Sequence, residues 1–366
     1  MRRAIDDGAT VVVKIGSSSL TGGRPGLDGA AVHSVTGHVA ALVARGHRVV
    51  LVTSAAVAAG LPALGIDRRP TDVPSLQAAA AVGQSRLMQA YTASFAGHDI
   101  TVGQVLLTRG VLADRDQYLH ARQALERLLA LGVVPVVNEN DTVAVEELRM
   151  GDNDRLAAMV SHLVGAGLLL LLTDTSGLLT ADPRTDASAT LVSDVEHTDT
   201  MLDRLVRGGA GPLGSGGVGT KIAAARMAAW SGIPTVIARA DAPNVGVAAA
   251  AGDDVGTWIE PGPHRLPSRK LWIAFGQPSE GRVVVDDGAR DALIASGSSL
   301  LGVGVTDVVG EFPAGAATEI VAGDGALVAK GICRIDASTL RQRSGPLSPR
   351  GEVAVHRDDM VVLVTT

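Results

Sequence analysis

From residue 9 to about 240, short apolar runs alternate with longer segments of helical spacing. The runs 10–15, 48–53, 99–106, 133–138, 168–173 and 233–238 are rich in Val, Ile and Leu and carry few interleaved polar residues. That pattern predicts strands buried on both faces, as in parallel sheets. Between them, Ala30–Arg45, Gln117–Leu131 and Lys221–Ser231 have apolar positions at helical spacing. Each is followed at once by a glycine, Gly46, Gly132 or Gly232, able to close a helix in a left-handed turn. A further helix is expected over 152–165, opened by "MGDNDRL" with Asp152 as N-cap. Strand and helix in alternation predict an α/β fold with a largely parallel sheet.

After residue 240 the pattern changes. "DAPN", "EPGPHRLPSRK" and a lone "LWIAF" read as an exit from the first domain followed by a linker. Beyond them, "GRVVVDDGARDALIASGSSLLGVGVTDVVGEF" and "TEIVAGDGALVAKGICRID" alternate short strands with Gly and Asp turns, which predicts a small β-rich module. The expected division is a first domain over 1–255, a linker over 256–276 and the β-rich module over 277–366.

Polar residues break the strand pattern in one kind of place. Lys14 closes the first strand within "VVVKIGSSSL", and a buried ammonium there requires either an anion or an exit to water. Thr53-Ser54, "NEND" over 138–141, and Thr173-Asp174 close three more strands. All four clusters stand at carboxyl ends, where open α/β sheets bind ligands.

The segment "GPLGSGGVGTKIAAARMAAW" sets a glycine-rich loop before a helix. It is not a P-loop, because Thr220 precedes Lys221 and no strand leads into it. It reads either as a phosphate cradle carrying a lysine or as a surface loop. At "MGDNDRL", capping by Asp152 and the helix dipole account for at least two of Asp152, Asn153 and Asp154 without a functional role.

Composition narrows the chemistry. With 366 residues, 46% hydrophobic and 19% charged, the chain can fill two cores. No apolar run approaches the roughly 20 residues of a membrane span. Asp6 and Asp7 interrupt the start "MRRAIDDGATVVV", so no secretory signal and a cytoplasmic location are expected. The one cysteine, Cys333, excludes a disulfide framework and is expected as a small buried residue. A net charge of −6 and 2% aromatic residues argue against a nucleic-acid binder. The nine histidines are scattered, and no G-x-S-x-G elbow is present. Two lysines, glycine loops and several carboxylates fit phosphoryl transfer, where positioning and charge neutralisation supply most of the catalysis. A carboxylate acceptor is already ionised at neutral pH and needs no general base.

With these residues in view, the chain resembles the amino acid kinase family, and within it the glutamate 5-kinase branch. The resemblance runs through "VVVKIGSSSL", "VTSAAVAAG", "VVPVVNENDTVA", "RMGDNDRLAAMV", "LLTDTSGLLTADPR" and "GSGGVGTKIAAA", and then through a carboxyl-terminal stretch similar to a PUA domain. It implies a three-layer α/β/α sandwich with a mainly parallel sheet, and transfer of a phosphoryl group from ATP, with Mg²⁺, to the γ-carboxylate of L-glutamate, the entry step of proline biosynthesis. By position, it implies that Lys14 and Lys221 contact the ATP phosphates and that Asp154 orients them. Ser54, Asp141 and Asn153 match the glutamate-binding positions. Thr173, Asp174 and the loop Ser215, Gly216, Gly217, Val218, Gly219, Thr220 and Lys221 match the nucleotide site, and no protein metal site is implied. A homodimer or tetramer and inhibition by proline near the glutamate site are further implications.

The chain departs from that pattern in places. Ser54-Ala55-Ala56 stands where Ser-Gly-Ala is usual, so Ala55 must keep φ below zero or be strained. "GSGGVG" stands for Gly-Thr-Gly-Gly-Met, Leu179 for a frequent tyrosine and Val111 for a frequent acid. A kinase for aspartate or N-acetylglutamate is the nearest alternative, against which the complete "NENDTV" and "GDND" pair speaks. PUA domains elsewhere accompany RNA-modifying enzymes. Residues 277–366, however, hold eight Lys plus Arg against twelve Asp plus Glu, a net −4, which is a poor footprint for RNA. A regulatory or structural role is expected for that module.

Overall fold

A computed structural model describes residues 2–108, 110–111, 114–143, 153–183, 186–196, 217–262, 268–277, 279–344, 349 and 351–363. The chain divides into two compact units, Met1–Arg265 and Leu266–Thr366.

The first unit is built on eight strands: β1 Thr10–Ile15, β2 Arg48–Val52, β3 Val102–Leu107, β4 Val134–Glu139, β5 Leu168–Thr173, β6 Asp194–Val195, β7 Thr235–Arg239 and β8 Thr257–Ile259, in the sheet order β3-β4-β2-β1-β5-β7-β8-β6. Strands β1 to β5 and β7 run parallel, and β8 is antiparallel to β7. Every residue of β1, β4 and β5 is buried, as their mainly apolar runs predict, and the burial includes Lys14 of β1 and Asn138 and Glu139 of β4. The chain winds outward from β1 to β2 on one side and from β5 to β7 on the other. The order therefore reverses at the β1/β5 pair, and a crevice opens beyond their carboxyl ends.

Helices cover both faces, giving three layers. One layer contains α2 Gly29–Ala44 and α4 Val73–Ala96, packed on Val11, Val13 and Ile15 of β1. The short helices α1 Ser17–Thr21 and α3 Ala56–Gly60 follow β1 and β2. The opposite layer contains α5 Arg115–Ala130, α6 Asn153–Leu163 and α7 Val218–Trp230, which pack against β4, β1, β5 and β7. Asp28, Asp72 and Asp114 cap α2, α4 and α5, each side chain accepting from first-turn N–H groups. Gly60 of α3 and Gly83 of α4 let these two helices meet backbone to backbone. A Cβ on Gly83 would lie 1.8 Å from the Ala56 carbonyl oxygen, and one on Gly60 2.0 Å from that of Ala79.

Several elements differ from their sequence expectations, and the stretch expected as linker also holds the helical segments Ser268–Leu271 and Trp272–Gly276. The strand expected from 99 begins at Val102, because Asp99 adopts φ 55° and the chain is still closing the end of α4 through Ile100 N–H on the Phe95 carbonyl. The helix expected from Lys221 begins one turn earlier, at Val218, with Gly217 as its N-cap. Within the stretch expected as linker, Thr257–Ile259 is a strand of the first sheet: the register pairs Trp258 with Val236, and Trp258 is buried in the core.

The second unit holds a six-stranded sheet in the order β10-β14-β13-β12-β9-β11, formed by β9 Gly281–Val285, β10 Leu300–Leu301, β11 Val305–Val309, β12 Ala317–Ala322, β13 Leu327–Cys333 and β14 Val353–Val362. Its own core gathers Val283, Val285, Ile320, Val328, Val355 and Cys333. Cys333 is a buried apolar residue, as expected, and burial pushes its thiol pKa up. No helix among the described residues is long and apolar enough to cross a membrane.

Candidate active site

Lys14 is the fifth residue of β1 and is side by side with Leu171 of the neighbouring β5. Its side chain is 6% exposed, so its charge is answered inside the protein rather than in water. The partner is Asp154, in the first turn of α6: Lys14 Nζ lies 2.6 Å from Asp154 Oδ1. The other oxygen, Oδ2, lies 3.4 Å from Lys221 Nζ and accepts a 2.8 Å hydrogen bond from Thr220 Oγ1. Both Thr220 and Lys221 stand in the first turns of α7, because the helix starts at Val218. One carboxylate thus ties β1, α6 and α7 together and holds two ammonium groups beside the β1/β5 crevice.

Burial pushes the Asp154 carboxyl up, but the ammonium groups of Lys14 and Lys221 and the donated hydrogen bonds outweigh it and hold its pKa below the usual carboxylate value. The Asp154 carboxylate is therefore charged at neutral pH. Breaking such an ion group by removing one partner is costly, about 3–5 kcal/mol.

A second cluster adjoins it. Asn153, 5% exposed, donates from Nδ2 to the Thr53 carbonyl, to Ser54 Oγ at 3.1 Å and to Asn138 Oδ1 at 2.9 Å. Thr53 Oγ1 shares a 2.7 Å hydrogen bond with the buried Tyr91 hydroxyl of α4, which fixes the end of β2. Burial pushes the Tyr91 pKa far up, so it stays a neutral phenol. Asp141 lies half-buried in the turn after β4. Thr173 closes β5 and donates to Asp174 at 3.0 Å.

Just after Ser54, Ala55 has φ 77° and ψ 11°, in the left-handed region. The second branch of the sequence expectation holds: an alanine occupies a glycine-type conformation, with a strain of roughly 1–2 kcal/mol.

The structure thus brings Lys14, Asp154, Thr220 and Lys221 into one cluster and Ser54 and Asn153 into the next, joined through adjacent residues of α6. Asp141, Thr173 and Asp174 stand at the carboxyl ends of β4 and β5, with Gly217, Val218 and Gly219 at the start of α7. Ser215, Gly216 and Asp152 lie outside the described residues. Sequence reasoning marked Asn138 only as part of "NEND" and did not single out Tyr91 or Gln84 as structural partners of this site. For Asn138, the first asparagine of "NEND", the available signal was an amide ending an otherwise apolar strand. Among the described residues no three His, Cys, Asp or Glu side chains gather as a metal site.

The family model for the amino acid kinase family matches residues 9–239, and that for the PUA domain matches residues 281–350. The chain is 45% identical to a glutamate 5-kinase of Marinomonas sp. (strain MWYL1), covering 99% of this chain and all of that protein. It is 43% identical to a glutamate 5-kinase of Pelobacter propionicus, over 96% of this chain and 97% of that one. It is 44% identical to a glutamate 5-kinase of Burkholderia multivorans, over 99% of this chain and all of that one.

Proposed function

The chain belongs to the amino acid kinase family, with a PUA domain following the kinase domain in sequence, and on that premise we propose that Lys14, Lys221 and Asp154 drive ATP-dependent phosphorylation of the γ-carboxylate of L-glutamate. The carrying observation is the ion triad at the end of β1, set against the polar cluster of Ser54 and Asn153.

The chemistry is an in-line displacement. A γ-carboxylate oxygen attacks the γ-phosphorus of ATP, the bond from that phosphorus to the β,γ-bridging oxygen breaks, and γ-glutamyl phosphate and ADP separate. No proton leaves the acceptor, so no general base is required. Charge on the transferring group meets two ammonium groups already oriented by Asp154. They are held in a partly desolvated site, where such donors act strongly and need no reorganisation during the reaction. Gly217 and the first turn of α7 offer backbone N–H groups to the phosphates. Ser54, Asn153 and Asp141 hold the amino acid, with Asp141 facing the α-ammonium.

Mg²⁺ is typical of such transfers and supplies charge neutralisation on the phosphates. Both Asp154 oxygens are committed to Lys14, Lys221 and Thr220, and no carboxylate cage stands among the described residues. The ion would enter on the nucleotide oxygens, and Asp154, already committed, would not be expected to hold it. Assembly as a homodimer or tetramer, proline inhibition at the glutamate pocket and a cytoplasmic location belong to the same proposal. The test is ADP release from Mg·ATP against glutamate, aspartate, N-acetylglutamate and carbamate, with hydroxylamine trapping of the labile acyl phosphate. Turnover with glutamate alone supports the reading, and preference for another acceptor sinks it.

A further inference from the structure

A line of four amides runs from the protein surface to the amino-acid pocket. Asn153 Nδ2 donates to Asn138 Oδ1 at 2.9 Å, Asn138 Nδ2 donates to Gln84 Oε1 at 2.9 Å, and Gln84 Nε2 donates to Gln104 Oε1 at 3.0 Å. Asn138 and Asn153 are buried, Gln84 on α4 is half-buried, and Gln104 on β3 is exposed.

A side-chain amide can turn over and exchange its oxygen and nitrogen at little cost in shape, so the direction of such a line needs an external reference. Two backbone groups provide it. The N–H of Glu139 can only donate, and it points at Asn138 from 2.9 Å, so the atom it meets is the Asn138 oxygen. The Thr53 carbonyl can only accept, so the Asn153 atom facing it is the nitrogen. Every link between them and outward to Gln104 then has one allowed direction.

The consequence falls on Asn153. Its two N–H groups are committed to the Thr53 carbonyl, Asn138 and, shared, Ser54. What it can offer a ligand is Oδ1, an acceptor that no donor reaches among the described residues. Ser54 Oγ, already accepting from Asn153, keeps its O–H to donate. An acceptor beside a donor matches an ammonium beside a carboxylate, the two ends of a free α-amino acid.

Gln84 reaches this line because Gly83 brings α4 onto α3 at backbone contact, which fixes the position of the next side chain. Without its Oε1, the Asn138 nitrogen would be a buried donor lacking a partner, a cost that pulls Asn138 away from the orientation in which its oxygen meets the Glu139 N–H and Asn153.

We propose that Gln84, itself steadied by Gln104, is a positioning residue: by accepting from the buried Asn138 nitrogen it holds the amide line in the direction that the Glu139 N–H and the Thr53 carbonyl set, and so keeps the pocket demanding a free α-ammonium. This rests on the glutamate-kinase reading above. Glutarate, which is glutamate without its amino group, is the probe. The measured quantity is the ratio of kcat/KM for glutamate to that for glutarate.

Gln84→Met keeps the shape and removes the acceptor. It should lower that ratio at least tenfold, mainly through the glutamate KM, with the ATP KM unchanged. Gln84→Glu still accepts from Asn138 and should keep the ratio nearer the parent value, a rescue that lost packing would not produce. Should Gln84→Met fail to fold, Gln104→Met at the exposed end of the line should lower the same ratio several-fold. A ratio unmoved by the Met variants, or equally lowered by Gln84→Met and Gln84→Glu, overturns the proposal. If the parent protein does not phosphorylate glutamate at all, the functional reading fails instead, and that is seen before any variant is compared.

Discussion

The Nζ of Lys14 stands 2.6 Å from Oδ1 of Asp154, joining the central strand of the first sheet to the helix that follows β4. The same carboxylate reaches Lys221 at 3.4 Å, on a helix more than 60 residues further along the chain. A lysine in an apolar strand is accounted for by this geometry: the resting chain supplies Asp154 as the counter-charge, and ATP phosphates are its proposed partner in turnover.

Asp154→Asn leaves the buried Lys14 ammonium and the half-buried Lys221 ammonium with no carboxylate between them. Thermal melting should fall by an amount matching about 3–5 kcal/mol, and kcat should drop by about 10²-fold or more. Because a bound triphosphate restores counter-charge, ATP should raise the melting temperature of this variant more than that of the parent chain. An equal or smaller ATP shift would contradict the triad.

Ala55 occupies a backbone conformation suited to glycine. Ala55→Gly should stabilise the protein by about 0.5–1 kcal/mol, the relieved strain less the added freedom of the unfolded chain. Urea unfolding checks this; a loss of stability would show that the strain is not real.

His38, on α2, donates Nε2–H to the Ala240 carbonyl at 3.0 Å. Burial lowers its pKa below the ordinary 6.5, and the carbonyl raises it only in part. The unfolded chain thus binds the proton more readily, so stability is fully present above 6.5 and is lost as pH falls through the folded value. His38→Gln, which can keep a donor on Ala240, should flatten the decline in melting temperature below pH 6.5. An unchanged pH slope would place the titration elsewhere.

The strands were legible because a parallel sheet buried on both faces leaves its mark in every residue, as in "LLLLLT" of β5. The polar residues at their carboxyl ends were legible for the same reason: a charge stands out against an apolar run. The 24-residue helix α4 was not named, since its alanine-rich sequence has no clear apolar stripe. Nor were β6 and β8, of two and three residues, too short to carry a period. The Gln84–Asn138 contact spans 54 positions and depends on helix packing through Gly83, which no local pattern encodes. For Ala55, the sequence marked the position, and only the backbone shows which alternative it takes.

Each unit has its own sheet and core, and every residue assigned here to catalysis or substrate binding precedes residue 222. A chain ending at Arg265 should therefore still produce γ-glutamyl phosphate, with altered assembly or proline response, once its solubility and monodispersity are established. The second unit alone should show no salt-sensitive binding to structured RNA, in keeping with its acidic balance. A well-folded truncated protein without kinase activity, or tight RNA binding by the second unit, would refute this division.

The central claim is that Lys14 and Lys221 neutralise charge on a phosphoryl group passing from ATP to glutamate. Its most direct measurement is single-turnover formation of hydroxylamine-trapped γ-glutamyl phosphate by the parent chain, Lys14→Ala and Lys221→Ala at saturating ATP and glutamate. The account predicts product from the parent chain and a rate at least about 10²-fold lower in each variant, the scale of losing one preorganised donor. Variants that fold and retain near-parental rates would contradict it.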